Sequence, residues 1–200
     1  MVMAARRVLH DEYFHKAKRE GYVARSAYKL LEVNEKKRLI RRGDRVLDLG
    51  CAPGSWLQVA RDIVGPKGEI IGVDLTPIKA DFGPTVRTIV GDAFAVDPAE
   101  LLTDGRRFDV LLSDMAPNTA GNASDHHRSV DLCERALDLA PSVVKTGGNL
   151  AMKVFEGERY PDLLERTKGL FATCKGFKPK ATREVSREMY IVATGLRPGQ

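Results

Sequence analysis

The amino-acid sequence predicts an α/β fold with a seven-stranded, mostly parallel sheet and helices on both faces. Strand-like apolar runs alternate with helical runs along the chain, and the last two strand-like runs follow each other closely. This order is typical of a parallel sheet whose crossover connections are helices. The seven predicted strands span residues 45–49, 69–75, 86–90, 108–113, 149–155, 174–180 and 189–194.

Helical spacing of apolar residues predicts five helices around these strands. Turn residues support the boundaries. G-P-K-G at 65–68 precedes the second strand, and T-G-G-N at 146–149 is predicted to end the long fourth helix with glycine. The predicted helices span residues 26–39, 56–64, 98–102, 125–144 and 161–171.

The composition is typical of a water-soluble globular protein, with 43% hydrophobic and 30% charged residues. No apolar run reaches the roughly 18 residues that a membrane span needs. The three cysteines, Cys51, Cys133 and Cys174, are odd in number and too widely spaced for a disulfide framework or a zinc knuckle. The adjacent pair His126 and His127 lacks the spacing with which metal ligands converge. We therefore expect a cytoplasmic protein with no metal site and no membrane contact.

Positive charge is concentrated at the two ends of the chain. Residues 1–42 hold twelve Lys/Arg against five Asp/Glu and residues 166–197 hold eight against two, whereas residues 43–165 hold twelve against twenty. Two basic ends around an acidic centre indicate a surface that binds nucleic acid, and solvated helix faces are the alternative. We expect one domain over 1–200, with a basic helical segment over 1–42 and a cofactor-binding, catalytic core over 43–195.

The segment D-L-G-C-A-P-G-S-W, residues 48–56, is typical of a strand that enters a glycine loop and then a helix. Gly50 and Gly54 lack a Cβ, so the backbone can approach a ligand closely there. Asp74 ends the next strand, at the position that binds ribose hydroxyls in nucleotide-binding α/β domains. The loop lacks the G-x-G-x-x-G spacing that holds a pyrophosphate. A nucleoside without phosphates, of which S-adenosylmethionine is common, therefore fits better; a turn with structural glycines is the alternative.

Charged residues stand at or just beyond the ends of five predicted strands. Ligands of parallel α/β sheets bind outside the carboxyl ends of the strands. These side chains are therefore expected to converge on one rim of the sheet. They are Asp48, Asp74, Asp92, Asp114 and Lys153.

Two segments carry a more specific signal, S-D-M-A-P-N at 113–118 and M-K-V-F-E-G at 152–157. Together with four others, in order over nearly the whole chain, they resemble the FtsJ/RrmJ-type ribosomal RNA ribose 2′-O-methyltransferases, the large-subunit methyltransferase E family. The resemblance implies a single Rossmann-like methyltransferase domain and S-adenosyl-L-methionine as cofactor. The other segments are G-Y-V-A-R-S-A-Y-K-L-L-E at 21–32, D-L-G-C-A-P-G-S-W at 48–56, K-P-K-A-T-R at 178–183 and S-R-E-M-Y-I-V-A-T-G at 186–195.

The resemblance also implies site residues. Cys51 and Ser55 stand where many relatives carry alanine and glycine, and both residues are small enough to leave the match intact. The implied catalytic residues are Lys29, Asp114, Lys153 and Glu188. The implied cofactor contacts are Gly54, Trp56, Asp74, Asp92 and Asp114. For Trp56, a place in the hydrophobic core and a contact with the cofactor are equally good interpretations.

A ribose hydroxyl must lose its proton as it is methylated, and Lys153 is the family's candidate to accept it. Asp114 would orient Lys153 and the donor methyl, Lys29 would hold the phosphate or ribose of the target nucleotide, and Glu188 would fix a lysine. A lysine with the reference pKa of about 10.4 is charged at neutral pH. Whether Lys29 or the two carboxylates dominate the ionisation of Lys153 is left open by the sequence.

The implied reaction is methylation of a ribose 2′-hydroxyl, on a uridine of ribosomal RNA in the assembled large subunit, by a monomeric enzyme. M-A-P at 115–117 supports a ribose oxygen, because amino-methylating enzymes often carry an aromatic residue at this strand end. Transfer RNA is an alternative substrate, and a non-catalytic RNA-binding assembly factor is an alternative function. A nicotinamide-dependent dehydrogenase is disfavoured by the missing G-x-G-x-x-G.

Overall fold

The computed structural model describes residues 12–117, 124–182 and 186–199. Helix α1 includes residues 12–20 and precedes helix α2 (Ala27–Lys37). The next elements are β1 (Arg45–Leu49), α3 (Ser55–Val64), a short 3-10 turn (Gly65–Lys67), β2 (Glu69–Asp74), β3 (Val86–Val90), α4 (Pro98–Leu101) and β4 (Phe108–Ser113). They are followed by α5 (Ser124–Val143), β5 (Val144–Phe155), α6 (Tyr160–Leu170), β6 (Phe171–Phe177) and β7 (Glu188–Leu196).

The strands form one seven-stranded sheet in the order β3-β2-β1-β4-β5-β7-β6. Neighbouring strands from β3 to β5 are parallel, and β7 runs antiparallel to both β5 and β6. The predicted fold class is confirmed. Because β1 and β4 lie side by side at the centre, their carboxyl ends and the loops that follow them meet at one edge of the sheet.

Helices cover both faces of the sheet because side chains alternate along each buried strand. On β1, Leu47 and Leu49 face a core cluster that includes residues of α5 and α6, such as Val130 and Leu163. Val46 faces the opposite cluster, which contains residues of α2 and α3. All these side chains are fully or almost fully buried. The two apolar faces thus fix the sheet between two helical layers.

Several predicted boundaries were wrong. The segment T-G-G-N at 146–149 does not end the long helix, because α5 ends at Val143 and the segment lies inside β5. The register of β4 against β5 shifts between Phe108 and Val110, which accommodates the glycines. β6 begins directly after α6, three residues before its predicted start, and β7 extends beyond the predicted strand at both ends. Pairing with a neighbouring strand, rather than local sequence, sets these limits.

Within the described ranges, no helix has the length and apolar character needed to cross a membrane. The expected helical segment at the N-terminus falls partly outside these ranges, since residues 1–11 are not among them. Its described part contains α1 and α2.

Candidate active site

A cavity of about 590 Å³ lies at the carboxyl ends of the central strands. Four of the five charged residues expected to converge on this rim line it, namely Asp74, Asp92, Asp114 and Lys153. The volume falls within the range of small-molecule binding sites in proteins. The fifth, Asp48, is fully buried beneath the cavity rather than exposed in it.

The glycine loop after β1 forms one wall of the cavity. Gly50 adopts a positive φ of 75°, and a Cβ at this position would lie 2.8 Å from the backbone nitrogen of Met115. Only glycine allows this approach, which brings the loop after β1 against the loop after β4. The glycine therefore sets the width of the cavity at Asp114, the residue before Met115.

Asp74 and Asp92 hold two further loops in place through their carboxylates. Asp74 accepts hydrogen bonds from the backbone nitrogens of Ala52 (2.9 Å) and Thr76 (2.8 Å), and Asp92 accepts one from Phe94 (2.9 Å). Carboxylates retain lone pairs for hydroxyl or amine groups of a ligand. The side chain of Phe94, 52% exposed, also lines the cavity. This combination of acids and apolar surface suits a nucleoside better than a phosphate group.

Two of the predicted cofactor contacts do not line this cavity. Trp56 is 2% exposed; its Nε1 donates a hydrogen bond to the carbonyl of Ser26 (3.0 Å), and its ring centroid lies 5.7 Å from that of Tyr190. The geometry favours the core interpretation of Trp56. Gly54 faces Phe82, whose ring would lie 2.5 Å from a Cβ at this position. Both residues therefore pack against other parts of the protein and not on the wall of the cavity.

The structure brings the four predicted catalytic residues together as two ion pairs. Lys29, on α2, lies 2.5 Å from Oε1 of Glu188 at the start of β7. The Nζ atom of Lys153, on β5, lies 3.0 Å from Oδ1 of Asp114 and donates a hydrogen bond of 2.5 Å to the carbonyl oxygen of that residue. Each lysine side chain is about one-tenth exposed. Short contacts at this burial hold both lysine nitrogens in defined positions.

Tyr190 links the two pairs, and sequence reasoning missed it. Its hydroxyl donates a hydrogen bond of 2.9 Å to Oδ1 of Asp114, and Nζ of Lys29 lies 6.0 Å from its ring centroid. Burial, and then the charges of Asp114 and Glu188, raise the pKa of Tyr190 well above its usual value, so the hydroxyl stays a donor. The signal was available: Tyr190 follows Glu188 by two residues and therefore shares its face of β7.

Asp48 is a buried acid near the cavity residues Asp74, Asp114 and Lys153. It is fully buried, and neither of its carboxylate oxygens has a hydrogen-bond partner within the part of the chain that the structure describes. Burial, followed by the charges of Asp114 and Asp74, raises its pKa well above the usual aspartate value. Because a raised pKa favours the protonated, neutral form of Asp48, the negative charge beside the cavity is reduced.

The two basic ends of the sequence meet in space. Ala17 on α1, Tyr28 on α2 and Ala181 pack into one small apolar cluster. The backbone nitrogen of Lys180 donates a hydrogen bond of 2.7 Å to Glu32 of α2. The basic loop after β6 therefore lies against the basic N-terminal helices, next to the helix that carries Lys29. Arg183, in the same basic stretch, lies outside the described residues.

The described ranges hold no group of three or more His, Cys, Asp or Glu side chains placed to bind a metal ion. The side chain of His126 is 6% exposed and that of His127 is 44% exposed, so the two adjacent histidines have different surroundings.

Comparison with known proteins identifies relatives over most of the chain. The FtsJ-like methyltransferase family matches residues 22–196. A protein named ribosomal RNA large subunit methyltransferase E from Desulfatibacillum aliphaticivorans is 45% identical, with 94% of this chain and 92% of the relative covered. Its namesake from Syntrophobacter fumaroxidans is 44% identical, with 94% and 97% covered. A crystal structure of a putative ribosomal RNA methyltransferase from Plasmodium falciparum superimposes with a TM-score of 0.76 at 29% identity, covering 88% of this chain and 98% of that one.

Proposed function

The chain belongs to the FtsJ-like methyltransferase family, and we therefore propose that it methylates a ribose 2′-hydroxyl of large-subunit ribosomal RNA. The names of relatives at 44% and 45% identity support ribosomal RNA as the substrate. The observation that carries the proposal is the Lys153–Asp114 pair at the rim of the cavity, where a methyl donor and an RNA ribose can meet. A uridine target, the assembled subunit as substrate and a monomeric, single-domain enzyme complete the proposal. Such a substrate implies a cytoplasmic location.

The methyl donor of the proposed reaction is S-adenosyl-L-methionine, which supplies an electrophilic methyl group on a sulfonium sulfur. The cavity residues fit its nucleoside part: Asp74 would accept hydrogen bonds from ribose hydroxyls and Asp92 from the adenine amine. Asp114 would face the positively charged sulfonium region. Gly54 and Trp56 would act indirectly, by supporting the loop that carries Gly50.

Lys153 is the proposed proton acceptor. The donor would supply the methyl group, keeping the electrons of the broken sulfur–carbon bond on sulfur, and the proton of the 2′-hydroxyl would pass to the uncharged amine of Lys153. Asp114 orients that amine through its Oδ1 and its carbonyl oxygen, at 3.0 and 2.5 Å. Holding the 2′-oxygen within about 3–3.5 Å of the methyl carbon accounts for much of the rate in such reactions. Lys29, fixed by Glu188, would hold the ribose or phosphate of the target nucleotide.

The joined basic ends supply the proposed RNA surface. Lys16, Lys36 and Lys180 border one cleft between α1, α2 and the loop after β6. Lysines contact phosphates without regard to sequence, so this surface would contribute affinity and orientation rather than choice of nucleotide. Lys29 lies on the same helix as Lys36, which connects the RNA surface to the reacting centre.

The test is transfer of labelled methyl from S-adenosylmethionine to undermethylated large subunits, free ribosomal RNA and transfer RNA. We expect label on large subunits, released by digestion as a 2′-O-methyl nucleoside. Lys153→Ala should abolish transfer while the protein still binds the donor. Lys145→Ala is the matched control, because Lys145 lies on the same strand but pairs with Asp109 away from the cavity.

Other outcomes separate the alternatives. Label only on transfer RNA would retain the chemistry and change the substrate. Donor binding without transfer to any RNA would point to the non-catalytic assembly factor. Near-normal turnover by Lys153→Ala would refute Lys153 as the proton acceptor.

A further inference from the structure

The carboxyl end of β5 extends past its neighbour. β4 ends at Ser113, whose register partner on β5 is Met152. Beyond this pair, Lys153 to Phe155 still align with β7 on one side but no longer have β4 on the other. Backbone groups on that side require other partners, because an unpaired buried peptide group is costly. The proposed proton acceptor therefore sits on a segment that the sheet supports from one side only.

One face of α5 replaces the missing strand. Cys133 donates a hydrogen bond to the carbonyl of Lys153 (3.0 Å), and Ser129 accepts one from the backbone nitrogen of Phe155 (3.0 Å). Nδ1 of His126 lies 2.6 Å from the carbonyl oxygen of Phe155. The three side chains are spaced by three and four residues, so they form one row along the helix.

His126 also holds the loop that follows β5. The backbone N–H of Arg159 donates a hydrogen bond of 3.0 Å to Nε2 of His126. Because a backbone N–H can only donate, Nε2 carries no hydrogen, and Nδ1 is the donor to Phe155. A neutral imidazole of one defined tautomer thus bridges the first and last residues of the turn from Phe155 to Arg159.

The turn is shaped to fit this ring. A Cβ at Gly157 would lie 2.5 Å from Cγ of His126, so only glycine allows the turn to pack against the imidazole. On its other side, the backbone nitrogen of Glu156 donates a hydrogen bond of 2.7 Å to the carbonyl of Arg187, the residue before Glu188. The turn therefore connects the two strand ends that carry Lys153 and Glu188.

We propose that His126 is a positioning residue for the methyl transfer, which fixes Lys153 through the backbone of Phe155 and Arg159. The inference rests on the proposed function, since it assigns a role relative to Lys153. It also gives a function to Gly157 in the M-K-V-F-E-G segment. His126 touches neither the cavity nor the reacting groups, so its effect is on the position of the amine and not on binding of the donor.

His126→Phe is the principal test, because phenylalanine keeps a flat ring against Gly157 and removes both hydrogen bonds. A displacement of the amine by an ångström lowers turnover substantially, and we expect kcat to fall about 10–100-fold. The KM for S-adenosylmethionine should stay within about twofold, since the donor contacts are untouched. His126→Asn should recover part of kcat, because its amide nitrogen can still donate to Phe155.

The adjacent His127→Phe is the matched control. His127 lies on the same helix, is partly exposed, and pairs at 3.2 Å with the exposed side chain of Glu158 rather than with the backbone of the turn, so its replacement should leave kcat unchanged. Hydrogen–deuterium exchange gives a readout that does not depend on activity. The amide of Arg159 should exchange faster in His126→Phe than in the wild type and in His127→Phe.

A His126→Phe enzyme with kcat within about twofold of the wild type would overturn the proposal, as would a loss confined to the donor KM. If this variant does not fold, Gly157→Ala disturbs the same contact from the loop side and should lower kcat similarly; unchanged kcat there also overturns it. A wild-type protein that methylates no RNA refutes the proposed function instead. The exchange measurement then decides alone whether His126 holds the turn.

Discussion

The hydroxyl of Tyr190 donates a hydrogen bond of 2.9 Å to Oδ1 of Asp114, the same carboxylate oxygen that lies 3.0 Å from Nζ of Lys153. Asp114 is thus held from two sides, by a lysine on β5 and by the register partner of that lysine on β7. The carboxylate has little freedom to rotate, and the lysine amine is fixed through it. Residues on two neighbouring strands therefore determine where the proposed proton acceptor points.

Tyr190→Phe should lower kcat about tenfold and leave donor binding unchanged. A hydrogen bond to a charged group contributes about 1.5–3 kcal/mol, and Asp114 keeps Lys153 as a partner after the change. The phenylalanine ring retains the contact with Trp56, so folding should be preserved. Single-turnover methyl transfer measures the effect. An unchanged rate would contradict the role of Tyr190 in orienting Asp114.

The Lys29–Glu188 pair should be coupled energetically. Removing one member of a largely buried pair strands the other charge, and we expect Lys29→Met or Glu188→Gln to lower the free energy of unfolding by about 3 kcal/mol each. The double variant should lose less than the sum of the two. Urea unfolding of the four proteins measures the coupling. If the loss of stability in the double variant equals the sum of the two single losses, the 2.5 Å contact between Lys29 and Glu188 contributes no interaction energy.

Arg135 should control donor affinity from a distance. Its guanidinium donates hydrogen bonds to the carbonyls of Ala93 (2.7 Å) and Val96 (3.2 Å), in the loop that carries Asp92. Arg135→Leu should raise the KM for S-adenosylmethionine about tenfold with little change in kcat, because only the loop is released. Isothermal titration with the donor measures the same loss. Arg166→Leu is the control, since Arg166 lies on α6 and pairs with Asp138 of α5 rather than with the loop that carries Asp92; an equal loss there would contradict the specific role of Arg135.

Asp48 should make stability depend on pH. The pKa of Asp48 in the folded protein is raised above its value of about 3.9 in the unfolded chain. The contribution of Asp48 to stability is therefore fully present below about pH 3.9, and it is lost as the pH rises through the pKa of the folded state. Asp48→Asn removes this dependence. The stability of the variant relative to the wild type should therefore increase between pH 4 and pH 8, by about 1.4 kcal/mol for each unit by which the pKa is raised.

Thermal unfolding of both proteins across this pH range tests the prediction for Asp48. Asp62→Asn is the control, because that side chain is 53% exposed and pairs with Arg61. A constant difference between Asp48→Asn and the wild type at all pH values would contradict a raised pKa.

RNA binding should depend on salt through the basic surface. Removing one lysine that neutralises a phosphate should reduce the slope of log affinity against log salt by about 0.7–0.9. Replacing the exposed Lys175 and Lys180 by alanine should therefore lower both affinity and slope, while Lys67→Ala, in the acidic centre of the chain, should change neither. Filter binding at several salt concentrations measures the slopes. Equal slopes for all variants would contradict the location of this surface.

The sequence by itself determined the order of strands and helices, the glycine loop and the acids at the strand ends. These features follow from local periodicity and turn chemistry, and four strand-end residues accordingly line the cavity. The Lys29 and Glu188 candidates came from the family resemblance rather than from spacing. Nothing local indicates that two residues 159 positions apart form an ion pair.

Only the tertiary structure decided which side chains face the cavity and which support it. It buried Asp48 without a partner among the described residues, turned Trp56 into the core and placed the Tyr190 hydroxyl on Asp114. It also ended β4 before β5, so that His126 takes the place of a strand beside Lys153. The physical reason is that strand length and side-chain partners depend on which elements pack together, and packing joins residues that local sequence patterns cannot relate.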